Sequence, residues 1–150
     1  MDWQSIDWKH LLTSLHGRID RLHFWAGFAA SFVIALVVGF IGAQIAALVP
    51  AVGWIVALLL SLAALFPAVA VVVKRLHDRD KPDAWAAVFF GPYILSVLAA
   101  LLGITAVTTI LSIASLAAFL YMAYDLGYLE GTPGPNAYGP APAKGAAANA

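Results

Sequence analysis

Two long stretches without a charged side chain dominate the pattern of this chain. Residues 24–73 contain no Asp, Glu, Lys, Arg or His, and neither do residues 84–124. As a single helix the first stretch would extend about 75 Å, whereas the hydrocarbon core of a bilayer is about 30 Å thick. It must fold back on itself, and Pro50 followed by Gly53 is the natural turn. The second stretch suffices for two more crossings of about 20 residues each, with Gly103 as the best turn. The pattern predicts an all-α fold, a four-helix transmembrane bundle made of two helical hairpins, with spans near residues 24–48, 51–73, 84–102 and 104–124.

Outside the spans the pattern changes. Trp8, Leu11, Leu12 and Leu15 recur at i, i+3, i+4 and i+7, one face of a helix. This predicts a short amphipathic N-terminal helix, interfacial on the cytoplasmic leaflet, although the same face would equally suit packing on the bundle. From Gly131 onward the chain is rich in Gly, Pro and Ala and has no apolar period. Residues 1–142 therefore read as one integral membrane domain and residues 143–150 as a disordered tail.

Composition identifies the solvent. Of the 150 residues, 63% are hydrophobic and 11% charged, against about 45–50% and about 25% in ordinary soluble domains. A soluble domain of this size cannot hide that much apolar surface, so the lipid bilayer is the first expected partner. The net charge is zero and no basic stripe invites a nucleic acid. The absence of cysteine excludes disulfides, thiolate catalysis and cysteine-held metal clusters. The first apolar run is longer than the about 7–15-residue core of a cleavable signal peptide, so it is expected to stay in the membrane.

Charge sets the orientation. Lys9, Arg18 and Arg21 precede the first span, Lys74, Arg75, Arg79 and Lys81 lie between the second and third, and Lys144 is in the tail. The turns near Pro50 and Gly103 carry no base. Basic residues collect on the cytoplasmic side, which predicts a multi-pass protein of the bacterial inner membrane with both termini cytoplasmic. Trp25, Trp54, Trp85, Tyr121, Tyr124 and Tyr128 lie near span ends, at the headgroup level that amphipathic rings prefer.

The span faces offer further candidates. Gly27, Ser31, Ala35, Gly39, Ala43 and Ala47 repeat every fourth residue. Such a stripe permits close helix packing, within the chain or across a homo-oligomer seam. Thr105, Thr108, Thr109, Ser112 and Ser115 lie mostly on one face of the fourth span, and Pro67 and Pro92 interrupt the second and third. A transporter or channel would bring Thr108, Ser112, Pro67 and Pro92 to one water-accessible cavity. More commonly, hydroxyls bond their own helix and prolines merely bend it. No ionisable residue lies deep in a span, which argues against an ion-coupled pump.

The remaining polar chemistry collects in three segments. Gly17, Arg18, Arg21, Phe24 and Trp25 precede the first span. Arg75, Leu76, His77 and Asp78 follow the second. Gly134, Asn136, Tyr138, Gly139 and Pro140 lie in the tail. In this order the motifs resemble those of the domain of unknown function 805 (DUF805) family, over nearly the whole chain. The resemblance implies a bacterial inner-membrane protein with several spans and no established activity, cofactor or substrate. One departure stands out: where the family follows its His-Asp with a glycine-containing stretch and one or two tryptophans, this chain has Arg79, Asp80, Lys81, Pro82, Asp83, Ala84 and Trp85.

Arg18, Arg21, Trp25, Arg75, His77, Asp78, Asn136 and Tyr138 form the candidate site. With Lys74, its arginines are placed to bind the phosphate of an anionic phospholipid, or only to fix topology. Arg18 and Arg21, three apart, are expected on one helix face. Arg18 or Arg21 pairing with Asp78 or Asp20, with the Asn136–Tyr138 segment folded beneath, would staple the loops and tail into one cap. A lipid-modifying enzyme would need His77 and Asp78 within hydrogen-bond reach in a pocket; Asp78, Asp80 and Asp83 are the residues available to a Mg²⁺ ion. Neither a cofactor nor a bound metal is expected. The preferred reading is a non-enzymatic binding or scaffolding component, with a small oligomeric transporter or channel as the alternative.

Overall fold

The computed structural model describes residues 6–142. Among the described residues there are five α-helices and no strand: α1 Trp8–Thr13, α2 Arg21–Leu48, α3 Gly53–Asp78, α4 Trp85–Leu101 and α5 Thr105–Met122, the last continued by a π-helical turn, Ala123–Tyr128. Arg21–Leu48, Gly53–Asp78 and Thr105–Tyr128 are long and apolar enough to cross a membrane; Trp85–Leu101 is a shorter apolar helix. α2 packs along α3 and α4 along α5, whereas α3 meets α4 only briefly. The tail expected to be disordered, residues 143–150 with Lys144, lies outside the described residues.

Local chemistry explains the boundaries. Asp7 and Asp20 cap α1 and α2, their carboxylates accepting from the backbone N–H of His10 at 2.9 Å and of His23 at 2.8 Å. Between α2 and α3 the chain turns within Val49 to Val52, and Gly53 packs so closely on the Ile45 carbonyl and Ala46 that no Cβ would fit. α3 and α4 end in the same way. Gly103 adopts φ +70°, while the N–H groups of Gly103 and Ile104 donate to the carbonyls of Ala100 and Ala99. At the end of α3 those roles fall to Asp80, at φ +55°, with the N–H groups of Asp80 and Lys81 donating to His77 and Leu76. These are Schellman closures, whose left-handed residue is usually glycine. The glycine-poor loop thus still makes its turn, with an aspartate where glycine would be relaxed.

Two expectations change. The second span does not end at Val73: α3 runs on through Lys74, Arg75, Leu76 and His77 to Asp78, all of them buried. Residues expected beyond the second span are therefore the last turns of its helix, enclosed by other segments. Pro67 and Pro92 do not interrupt their helices, since α3 and α4 continue through both.

Burial is concentrated at one end of the molecule. Ile6, Leu11, Ile19, Phe24, Val71, Val72, Leu76, Phe89, Met122 and Leu126 form the core at the end where the charges gather. Beyond it the helices expose large apolar side chains such as Phe32, Leu36, Phe40, Ile110, Ile113 and Leu116. α1 rests on this core through Leu11 with Trp8 exposed, and it ends at Thr13, so Leu15, also exposed, does not extend its face as the spacing predicted. In the small-residue stripe, Gly27 lies against Val71 and Leu11, and Ser31 is buried, whereas Ala35 and Gly39 line an apolar pocket with Ala64, Leu65 and Phe90. None of Thr108, Ser112, Pro67 and Pro92 lines that pocket. The hydroxyls of Thr108, Thr109 and Ser115 donate to the carbonyls four residues earlier, those of Ile104, Thr105 and Leu111.

Candidate functional site

The site is built around the Asp78 carboxylate at the C-terminal end of α3. Its Oδ1 accepts from Arg18 Nε at 3.1 Å and Arg18 Nη2 at 2.9 Å, a forked pair with both side chains buried. Its Oδ2 accepts from Arg75 Nη1, one helical turn back. Two buried arginines therefore share one buried carboxylate. A trio with excess positive charge is tolerable away from water only if the remaining N–H groups are satisfied.

They are satisfied by main chain. Arg75 Nε donates to the Leu126 carbonyl at 2.8 Å, Nη1 to Ile19 at 3.3 Å and Nη2 to Leu129 at 2.7 Å. Arg18 Nη1 donates to the carbonyls of Gly134 at 2.9 Å and Gly139 at 3.0 Å, and Nη2 to Thr132 at 2.9 Å. The acceptors come from the α1–α2 connection, the π-helical turn and the tail. Within the π-helical turn Ala123–Tyr128, Asp125, Leu126 and Gly127 are all buried.

The tail is tied down further. Thr132 donates its N–H, at 2.8 Å, and its hydroxyl, at 3.0 Å, to the Asp78 carbonyl. Asn136 Nδ2 donates to the His77 carbonyl at 2.8 Å, and the Tyr138 ring stacks on the His77 imidazole at 4.0 Å between centroids and 5° between planes. Gly131 passes so close to Asp78 that a Cβ would collide with the carboxylate.

Of the eight candidate residues, Arg18, Arg75, His77, Asp78, Asn136 and Tyr138 converge here. Arg21 and Trp25 lie at the rim. Arg18 precedes α2 in the extended connection while Arg21 opens the helix, so the two do not share a helix face. Arg21 pairs not with Asp78 but with Glu130 at 3.1 Å, an exposed contact, and with the Tyr128 carbonyl at 3.0 Å. Trp25 Nε1 donates to the Gly127 carbonyl at 3.2 Å. Arg21 and Glu130 border an open pocket of about 610 Å³ with Asp20 and Thr132, and Arg75 and Asp78 also contribute to its lining. His77 and Asp78 do not bond each other: the imidazole meets Gly17 and Asp83, and the carboxylate meets the two arginines. Asp78 and Asp83 thus already have protein partners.

Two further charges complete the cap: Lys74, expected beside the arginines as a phosphate-binding base, and Asp125, which was not foreseen. Lys74 Nζ donates to the carbonyls of His10, Leu11 and Ser14 at 2.7, 2.6 and 2.7 Å, closing the C-terminal end of α1. Buried Asp125 accepts from Lys81 at 2.5 Å and Arg79 at 3.3 Å. Lys81 also lies 4.8 Å from the Trp85 ring centroid and 5.8 Å from that of Tyr121. These contacts join the α3–α4 loop to the end of α5. The available signal for Asp125 was its position, the first charge after the uncharged run of residues 84–124. Carbonyl acceptors leave no mark in a sequence.

Comparison with known proteins places these segments in a family context. Residues 12–140 match the family model described as "Protein of unknown function (DUF805)". The chain is similar to the uncharacterized protein YiiR of Escherichia coli K12, at 34% identity over 130 residues, covering 85% of each chain. It is also similar to the inner membrane protein YhaI of the same organism, at 30% identity over 78 residues, 52% of this chain and 63% of that one. No solved structure matches it.

Proposed function

The chain belongs to the DUF805 family, and on that footing we propose that it is a multi-pass inner-membrane protein whose cap is a rigid cytoplasmic platform, a scaffolding or binding component rather than an enzyme. In this reading α2, α3, α4 and α5 form a four-helix transmembrane bundle of two hairpins, with both termini on the cytoplasmic side. A relative named as an inner membrane protein and three helices of membrane-crossing length support the location. The orientation rests on the side of the charges: every described Lys and Arg lies in the α1 region, at the start of α2, at the end of α3 or in the α3–α4 loop.

The observation that carries the scaffold reading is the Asp78 trio. Its arginines spend their donors on Asp78 and on carbonyls of the connection, the π-helical turn and the tail. Such an arrangement fixes shape. It leaves the anionic-lipid contact to the rim, where half-exposed Arg21 stands beside exposed Leu22, Trp25, Tyr124 and Tyr128, an amphipathic edge suited to headgroup level.

Because the chain has no cysteine, single-cysteine labelling tests the topology directly. With an impermeant maleimide on intact cells, Val52→Cys and Gly103→Cys are expected to label from outside, and Asp83→Cys and Pro142→Cys only after permeabilisation. Labelling of Asp83→Cys in intact cells would refute the orientation. For the rim contact, Arg21→Gln is expected to reduce co-purification of anionic phospholipid in native mass spectra, whereas unchanged retention would remove Arg21 from that role.

A further inference from the structure

The His77 imidazole is enclosed by acceptors. Its Nδ1 lies 3.1 Å from the Gly17 carbonyl oxygen, and its Nε2 makes a close contact with the Asp83 carboxylate. A carbonyl oxygen can only accept, and an ionised carboxylate can only accept. A neutral imidazole has one N–H, so it can serve one of these partners and must turn a lone pair toward the other. The imidazolium has two N–H groups and serves both. The side chain is only 7% exposed, so water has little access to repair a mismatch.

Three segments separated along the chain meet on this ring. Gly17 belongs to the α1–α2 connection, Asp83 to the α3–α4 loop and Tyr138, stacked on the ring face, to the tail. The α1–α2 connection presents the Gly17 carbonyl, and the neighbouring Arg18 is committed to Asp78. The loop presents Asp83, whose carboxylate is 65% exposed. The tail presents Tyr138 and Asn136, the latter donating to the His77 carbonyl. On α3 itself, Asp78 is held by Arg18 and Arg75.

We propose that His77 is a proton-operated latch: as imidazolium it ties the α3–α4 loop to the cap, and on losing its proton it releases the loop at Asp83. The direction follows from exposure. A neutral ring keeps its one proton on Nδ1 for the less exposed Gly17 carbonyl, while the more exposed Asp83 carboxylate turns to water. The loop also carries Arg79 and Lys81, which reach Asp125 at the end of α5, and Pro82 and Asp83 carbonyls that accept from Trp85 and Ala86 at the start of α4. Release at Asp83 therefore loosens the joint between the two hairpins. The contact depends on the doubly protonated ring, so it is present while both ring nitrogens carry a proton and is lost when Nε2 gives its proton up.

The test compares the full chain with Asp83→Asn, both in lipid nanodiscs. An asparagine amide can turn its oxygen to a protonated Nε2 or its N–H₂ to an unprotonated one, so it keeps a bond in either state. In the wild type, hydrogen exchange at the amides of residues 81–87, corrected for intrinsic rates, is expected to become about five-fold faster between about pH 5 and about pH 8, the size of one partly exposed charge-assisted hydrogen bond. In Asp83→Asn the amides are expected to show no such change. Imidazole ¹⁵N spectra should show both His77 nitrogens protonated at the acid end. Equal pH responses in the two proteins, or a neutral His77 ring at about pH 5, would overturn the latch.

Discussion

Replacing Asp78 by Asn keeps the volume of the side chain but removes the charge shared by two buried arginines. The Asn oxygen can still accept from the Arg18 fork as a neutral acceptor. Its N–H₂ then faces Arg75 Nη1, donor against donor, where a carboxylate oxygen now accepts. The alternative flip transfers the clash to Arg18. Either way a buried guanidinium loses its countercharge, a change that costs about 3–5 kcal/mol when one partner of a buried pair is removed. Arg18→Gln should cost a similar amount, because it strips Asp78 of its fork and leaves the carbonyls of Thr132, Gly134 and Gly139 without their donor. The double variant separates pairing from coincidence. If the two side chains act through one another, its cost should fall short of the sum by about 1–3 kcal/mol. Denaturant unfolding in mixed micelles, followed by tryptophan fluorescence, reads all three, since Trp25 rests on the Gly127 carbonyl at the cap rim. Additivity within about 0.5 kcal/mol would refute the pairing. The exposed Arg21–Glu130 pair is the internal control, with expected coupling below about 1 kcal/mol.

Three other outcomes follow from the same geometry. Gly131→Ala drives a methyl group into the Asp78 carboxylate and should destabilise by about 1–3 kcal/mol in the same unfolding assay, whereas Gly39→Ala, with open space around it, should be neutral or slightly stabilising. Asp80→Gly relieves a left-handed backbone at φ +55° and should raise stability by about 0.5–1 kcal/mol, seen as a higher denaturation midpoint with an unchanged slope. Lys74→Met keeps the bulk of the side chain but leaves the His10, Leu11 and Ser14 carbonyls without their donor. Hydrogen exchange in α1 should then rise by at least about ten-fold, the effect of losing one charged hydrogen bond, while the amides in the middle of α3 keep their protection.

The motifs that pointed to a candidate site did so for uneven reasons. Arg18, Arg75, His77, Asp78, Asn136 and Tyr138 are gathered as their three ordered segments implied. Arg21 was grouped with Arg18 from a three-residue spacing that presupposes a helix, yet the helix begins only at Arg21. Lys74 and Arg75 looked like loop residues because charge ordinarily ends a span. They belong to α3 because carbonyls from elsewhere in the chain replace the water their charges would otherwise require. Asp80 illustrates the opposite case: the loop departs from the family pattern by lacking glycine, yet an aspartate adopts the left-handed conformation and the turn is made.

The sequence by itself determined the all-helical class, the positions of the hairpin turns and the gathering of charge toward a few segments. These follow from one-dimensional constraints: an uncharged run longer than a bilayer is thick must reverse, and it does so where proline and glycine interrupt it. The tertiary structure alone decided which charges meet. Whether Asp78 takes Arg18 or Arg21, whether Asp125 closes on Lys81, and whether His77 meets the Gly17 carbonyl all depend on residues about 40 to 120 positions apart, or on backbone oxygens that every residue carries. Hydrophobic patterning sets where a helix runs because apolar burial is non-directional; hydrogen bonds between buried ions require particular distances and angles, and only the folded chain supplies those.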